Sequence, residues 1–228
     1  KAMVRYVDKL VGRLVDTLDE LGIRERTIVI FATDNGTVPG VTGTLNGLRV
    51  KGAKGKAVEL DVCSPFIVNC PGIVPEGVET EALTDLSDML PTFVELSGGQ
   101  VPEDLVIDGT SIAPLILGKN QDSEREWIMA LGSGAARLTE NGVRGANDFE
   151  KRVIRDKQYK VWVSTEKQII RLHDLREDPW EEKNLLNSDR DEEKKALQKF
   201  QAVVDSLPDK DADILYELRA SNTWDQEL

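Results

Sequence analysis

The chain has 228 residues, 40% of them hydrophobic, which suffices for one large or two small domains with a buried core. Its formal charge of −12 and isoelectric point near 4.7 exclude a general affinity for nucleic acid or anionic membrane surfaces, because both need clustered Lys and Arg to neutralise phosphates. No apolar run approaches the roughly 18–20 residues that cross a bilayer, and no apolar segment follows a basic start, so neither nucleic acid nor a membrane is expected as a partner.

The chain begins at Lys1 rather than Met, already inside a helical pattern, so the natural N-terminus is expected further upstream. Val4, Val7, Leu10, Val11, Leu14, Val15, Leu18 and Leu21 recur at three- and four-residue spacing and predict an amphipathic helix over residues 3–21, stopped near Gly22. Thr27–Ala32 is a short apolar, β-branched run of the kind buried on both faces of a parallel sheet. Beyond it the chain turns polar at Thr33-Asp34-Asn35-Gly36, the strand end at which open α/β sheets place their ligands. Residues 36–61 are rich in glycine and poor in apolar periodicity and read as a long irregular loop. Pro65–Cys70 is a second core strand closed by Pro71-Gly72.

Leu83 to Leu96 is a helical stretch in which Pro91 sets a kink or a new start, and residues 98–118 form a connection with one helical turn near Ile112 to Leu117. From about residue 124 the pattern changes to short strands at Trp127–Leu131, Arg152–Arg155, Tyr159–Ser164 and Ile169–Asp174, as in an antiparallel sheet. Leu197, Phe200, Val203, Val204 and Leu207 define a last amphipathic helix, entered through the charged and solvated turn Asp189 to Lys195.

Cys63 and Cys70 lie seven positions apart in a partly extended segment. Such a span is about 23 Å, against the roughly 4.4–6.8 Å between the α-carbons of a disulfide, so two thiols are expected. Their spacing is wrong for a zinc pair and His173 is the lone imidazole, so zinc is not expected either.

Two constellations could carry chemistry. Asp34 and Asn35 offer one anionic and one neutral oxygen donor, which suits Ca²⁺ or Mg²⁺, although Asn-Gly is equally a turn signal. Lys54 lies among Gly52, Ala53 and Gly55, small residues that let an ammonium and backbone approach an anion; with Arg49, Lys51 and Lys56 it also reads as a basic surface loop.

Their order is informative. A core strand, Asp34-Asn35-Gly36, Lys51-Gly52-Ala53-Lys54-Gly55, then Glu59 and Pro65 resembles the second half of the active-site region of sulfatases of the alkaline phosphatase superfamily. The likeness continues through Asp85 to Thr92 with Ser97-Gly98, through Asp108-Gly109-Thr110-Ser111, and through Tyr159-Lys160, Leu172 to Leu175, Asp178-Pro179 and Glu182 to Leu185. It departs at Leu60-Asp61, where the family often has Gly-Gly, and at Cys63, where it often has Arg. Cys63-Ser64-Pro65 is not the family's Cys/Ser-x-Pro-x-Arg nucleophile motif, since Ile67 stands in the Arg position. His173 falls where the family frequently has Tyr and reads as a packed strand residue.

The resemblance implies an α/β fold: a partial sulfatase-like core over residues 1–122 and, over 123–228, a C-terminal α+β subdomain of a small antiparallel sheet and a packed helix. It implies sulfate ester hydrolysis by the intact protein, with Asp34 and Asn35 as Ca²⁺ ligands, Lys54 as a catalytic and sulfate-binding residue, and a formylglycine nucleophile in a preceding part. This chain alone is then expected to be inactive. A phosphonate or phosphate monoester hydrolase of the same superfamily and a non-catalytic binding or structural module stay open as alternatives. Bacterial members of the family are often exported, so a periplasmic or secreted location is implied by resemblance only.

Overall fold

The computed structural model describes residues 2–45, 47–131, 136–139, 142–145 and 151–209. Helix α1 (Ala2–Glu20) follows from the apolar spacing and ends in a two-bond cap. Ile23 N–H donates to Leu18 O and Gly22 N–H to Asp19 O, both at 3.0 Å, with Gly22 at φ +65° in the left-handed region that glycine enters without a Cβ clash. Strand β1 (Val29–Ala32) is followed by a hairpin, β2 (Thr42–Leu45) and β3 (Leu48–Lys51), then by the single helical turn α2 (Glu59–Val62) and β4 (Phe66–Asn69). A 3₁₀ turn, Leu86–Asp88, leads into α3 (Met89–Leu96), with α4 (Ala113–Ile116) beyond. The remaining elements are β5 (Ile128–Leu131), β6 (Ala136–Thr139), β7 (Gly142–Gly145), β8 (Arg152–Arg155), β9 (Tyr159–Val163), β10 (Ile169–Asp174) and α5 (Asp191–Ser206).

The chain divides into two units. The first runs to Asn35 and resumes over Cys63–Ile128. Here β1 and β4 pair antiparallel, with Val29 opposite Asn69 and Ala32 opposite Phe66. The parallel, doubly buried strand expected from the apolar run is therefore corrected: an apolar run reports burial and carries no information on direction, and β1 is only half-buried. The apolar stripe of α1 is exposed along Val4, Val7, Leu10 and Leu14.

The family-like motifs of this unit prove to be one polar lock. Asp88, fully buried, accepts from the N–H of Asp85 at 2.9 Å, from that of Thr110 at 2.8 Å and from Arg125 Nε at 2.8 Å. Gly109 must be glycine, because a Cβ there would sit 2.0 Å from Ser87 O. Buried Thr92 accepts from the N–H of Ile112 at 2.9 Å. Asp85 to Thr92 and Asp108 to Ser111 thus hold each other by satisfying buried groups.

The second unit comprises Gly36–Val62 and the residues from Met129 onward. Its sheet has the order β10-β9-β8-β5, with β9 antiparallel to both β8 and β10. All four strands stand where their alternation predicts. Helix α5 packs against β9 and buries Ala196, Phe200 and Val204, which with Val153, Ile154, Val161, Val163 and Leu172 form the core. Leu172 N–H donates to Asn184 Oδ1 at 3.1 Å and Leu185 N–H to Leu172 O at 2.8 Å, so the Asn184-Leu185 motif is stitched to β10. Residues 36–61 are not an irregular loop: they contain the β2–β3 hairpin, with Thr44 opposite Arg49 and Thr42 opposite Lys51, and α2.

Candidate functional site

Asp34 and Asn35 leave the end of β1 in the first unit, Asp34 exposed and Asn35 half-buried. Ser64 Oγ donates to Thr33 O at 3.0 Å, and Thr33 Oγ1 to Asn35 O at 3.3 Å, which fixes the backbone at the strand end. Among the described residues neither the Asp34 carboxylate nor the Asn35 amide has a hydrogen bond or ion pair. These are hard oxygen donors, one anionic and one neutral, a donor set that fits Ca²⁺. Among the described residues no group of three or more His, Cys, Asp or Glu is placed to hold one metal ion, so Asp34 and Asn35 would be part of a ligand set.

Lys54 belongs to the second unit, and its side chain is exposed. The backbone around it is held tightly. Lys54 N–H donates to Thr37 O at 3.0 Å and Gly52 N–H to Val41 O at 2.9 Å. A Cβ on Gly52 would lie 2.1 Å from Val38 O, so the close approach of the two segments requires glycine. Asp61, buried, accepts through Oδ2 from the N–H groups of Lys56 at 2.9 Å and Ala57 at 2.8 Å, and its own carbonyl accepts from Gly36 N–H at 2.6 Å. Ala57 has φ +55°, a left-handed turn that this clamp stabilises.

A buried ionic cluster fastens the same loop to the sheet. In β9 the side chains alternate, so Tyr159, Val161 and Val163 share one face and Lys160 and Trp162 the other. Fully buried Lys160 donates from Nζ to Glu181 Oε1 at 2.8 Å and to Ala57 O at 2.9 Å. Glu181 also accepts from the N–H of Glu59 at 2.6 Å and from Trp162 Nε1 at 2.8 Å. Glu59 in turn pairs with Arg155. Two cations and two anions therefore balance beneath the turn that presents Lys54, and low-dielectric burial makes each pairing costly to break.

Sequence reading missed Asp61, Lys160 and Glu181 as supports. Lys160 offered the one available signal, a charged residue inside the buried run Tyr159–Val163, which demands a partner. Leu60-Asp61, read as a departure, contains the carboxylate that closes the loop. Cys63 is exposed, Cys70 is buried, and no disulfide joins them. His173 is buried in β10 with Nδ1 3.7 Å from Asp178 Oδ2. Burial raises the Asp178 carboxyl, but the N–H groups of Lys183 and Glu182 and the neighbouring His173 outweigh it and hold the pKa below its ordinary value. Among the described residues no helix is long and apolar enough to cross a membrane.

The chain resembles known proteins. The family model described as "Sulfatase" matches residues 2–99, and the model described as "N-sulphoglucosamine sulphohydrolase, C-terminal" matches residues 57–207. The chain is 36% identical over 132 residues to steryl-sulfatase of Rattus norvegicus, a match covering 55% of this chain and 23% of that protein. It superimposes on the structure of BT1596, a 2-O GAG sulfatase, with TM-score 0.64 and 25% identity, covering 87% of this chain and 40% of that one. A third likeness, of fold alone at 22% identity, is to BT4656 in complex with its substrate D-glucosamine-2-N,6-O-disulfate, with TM-score 0.68 over 90% of this chain and 40% of that one. The chain thus spans under a quarter of the length of the rat relative.

Proposed function

The chain belongs to the sulfatase family, and from that premise we propose that the protein containing it hydrolyses sulfate esters, with this chain contributing Asp34 and Asn35 as Ca²⁺ ligands and Lys54 as the cation that holds the sulfate group. In this reading residues 1–122 are part of the α/β core and residues 123–228 the C-terminal subdomain. The observation that supports it most is the state of Lys54: an exposed ammonium without a partner among the described residues, carried on a turn fastened by Asp61 and by the Lys160–Glu181 cluster. Pre-set cations are what a reaction that develops negative charge on sulfate oxygens requires.

Lys54 donates hydrogen bonds to a sulfate oxygen as charge builds up there. Gly52 lets the turn that carries Lys54 lie against the backbone of Thr37 and Val38. When bound, Ca²⁺ would supply Lewis-acid neutralisation of negative charge on the sulfate group. Asp34 provides the anionic oxygen for the ion and Asn35 the neutral one, the latter oriented by the fixed strand end. The family's Cys/Ser-x-Pro-x-Arg motif, source of its formylglycine nucleophile, does not occur in this sequence, so the chain by itself is proposed to be without turnover. A sulfated sugar such as the substrate named for BT4656 belongs to the substrate class considered.

The test is kcat/KM of the full-length protein on 4-nitrophenyl sulfate and 4-nitrophenyl phosphate, with and without Asp34→Asn. Preference for the sulfate, together with a raised Ca²⁺ requirement in the variant, supports the reading. Preference for the phosphate, or an unchanged Ca²⁺ requirement, overturns it.

A further inference from the structure

The segment that carries Lys54 reverses the charge of the chain around it. From Asn35 to Val58 there are Arg49, Lys51, Lys54 and Lys56 and no Asp or Glu, in a chain whose formal charge is −12. All four cations are exposed, and among the described residues none has an ion pair. Surface cations in an acidic protein ordinarily find carboxylates, as Lys199 and Arg190 do here. On β3 the period of two puts Arg49 and Lys51 on one face, and the register sets Thr44 and Thr42 opposite them, so that face shows two cations and two hydroxyl-bearing residues. Lys51 and Lys56 are five positions apart and at most about 18 Å from each other along the chain, so the positive field forms one local patch.

One sulfate ester needs one such cation. We infer that the β2–β3 hairpin recognises further anionic groups of the substrate, and that the substrate is a polysulfated oligosaccharide rather than a singly charged apolar ester. The inference rests on the sulfatase reading above and deepens it. A row of cations on a strand matches anions repeated along a polymer, and the threonines suit its hydroxyls. A sterol-like ester would instead need an extended apolar wall, whereas the sequence from Asn35 to Val58 intersperses its apolar residues with glycines, threonines and cations. Because the remaining surface is acidic, the patch also steers the polyanion toward the Lys54 turn.

The experiment measures fluorescence anisotropy of a labelled polysulfated hexasaccharide, its desulfated counterpart and a single-stranded oligonucleotide of equal charge with the full-length protein. Wild type is compared with Arg49→Gln/Lys51→Gln, and with Arg49→Lys/Lys51→Arg to restore charge. The polysulfated ligand should bind wild type best, weaken about five- to tenfold in the double Gln variant, as two exposed pairs allow, and recover in the charge-restored variant. Binding should fall about tenfold from about 20 to about 200 mM salt. Equal binding by the double Gln variant, by the desulfated sugar or by the oligonucleotide overturns the assignment. Binding as expected without hydrolysis of any sulfate ester overturns the sulfatase reading and leaves the hairpin's ligand class standing.

Discussion

Replacing Glu181 by Gln removes one of the two anions from the buried cluster under the Lys54 turn. Lys160 has no exposed surface; its Nζ lies 2.8 Å from Glu181 and 3.6 Å from the remaining carboxylate, Glu59. The longer distance is an ion pair without a hydrogen bond, so the variant leaves a buried ammonium short of its main counter-charge. Removing one partner of a buried pair costs about 3–5 kcal/mol, and Gln retains an acceptor, which sets the expectation near 3 kcal/mol. With a urea dependence of roughly 2 kcal/mol per molar, the midpoint drops by about 1.5 M at unchanged slope. Glu177→Gln is the control: this side chain is 59% exposed beside Arg190, and its loss should cost under about 0.5 kcal/mol. Lys160→Met combined with Glu181→Gln should cost less than the two singles added, because the second change removes the charge the first one stranded. A Glu181→Gln midpoint within about 0.5 M of wild type would refute the claim that this cluster fastens the turn.

Further outcomes follow from the same geometry. Gly52→Ala drives a Cβ to 2.1 Å from Val38 O, and is expected to destabilise by about 1–3 kcal/mol and to lower kcat/KM in the full-length protein, read by urea titration and steady-state rates. Asp61→Ala strands the N–H groups of Lys56 and Ala57 and should cost about 2–3 kcal/mol, with Asp61→Asn recovering most of it in the same titration. Asp178 has a folded pKa below its ordinary value, so it contributes stability above the unfolded value of about 3.9 and loses it as pH falls through the folded one. The wild-type advantage over Asp178→Asn should therefore be full at neutral pH and shrink below about pH 4 in thermal melts; a constant difference would contradict the sign.

What the sequence disclosed and what it hid divide along physical lines. β1, β4, the four strands of the larger sheet and α5 are elements whose apolar pattern follows the core they face, and α1 shows the same regular apolar period although its stripe is exposed, so period alone finds them. The β2–β3 and β6–β7 hairpins are short and polar, and glycine content made the first look like a loop. Asn46-Gly47 and Asn141-Gly142 between short runs were the turn signals that could have located both. Strand direction in β1 and β4 was hidden because pairing partners leave no mark on a six-residue apolar run. Asp34, Asn35 and Lys54 stand out in the sequence by residue type and order, and their roles are those proposed for them. Their supports do not stand out: Glu59 meets Glu181 across a separation of 122 residues, and no local pattern encodes that pairing.

The account turns on Lys54. Lys54→Ala removes an exposed ammonium while leaving the backbone N–H on Thr37 O in place, so the full-length variant should keep its melting temperature and lose about 10²–10³-fold in kcat on 4-nitrophenyl sulfate, the scale of one lost electrostatic donor. Wild-type turnover in the variant, at the same melting temperature, would contradict the role given to this residue.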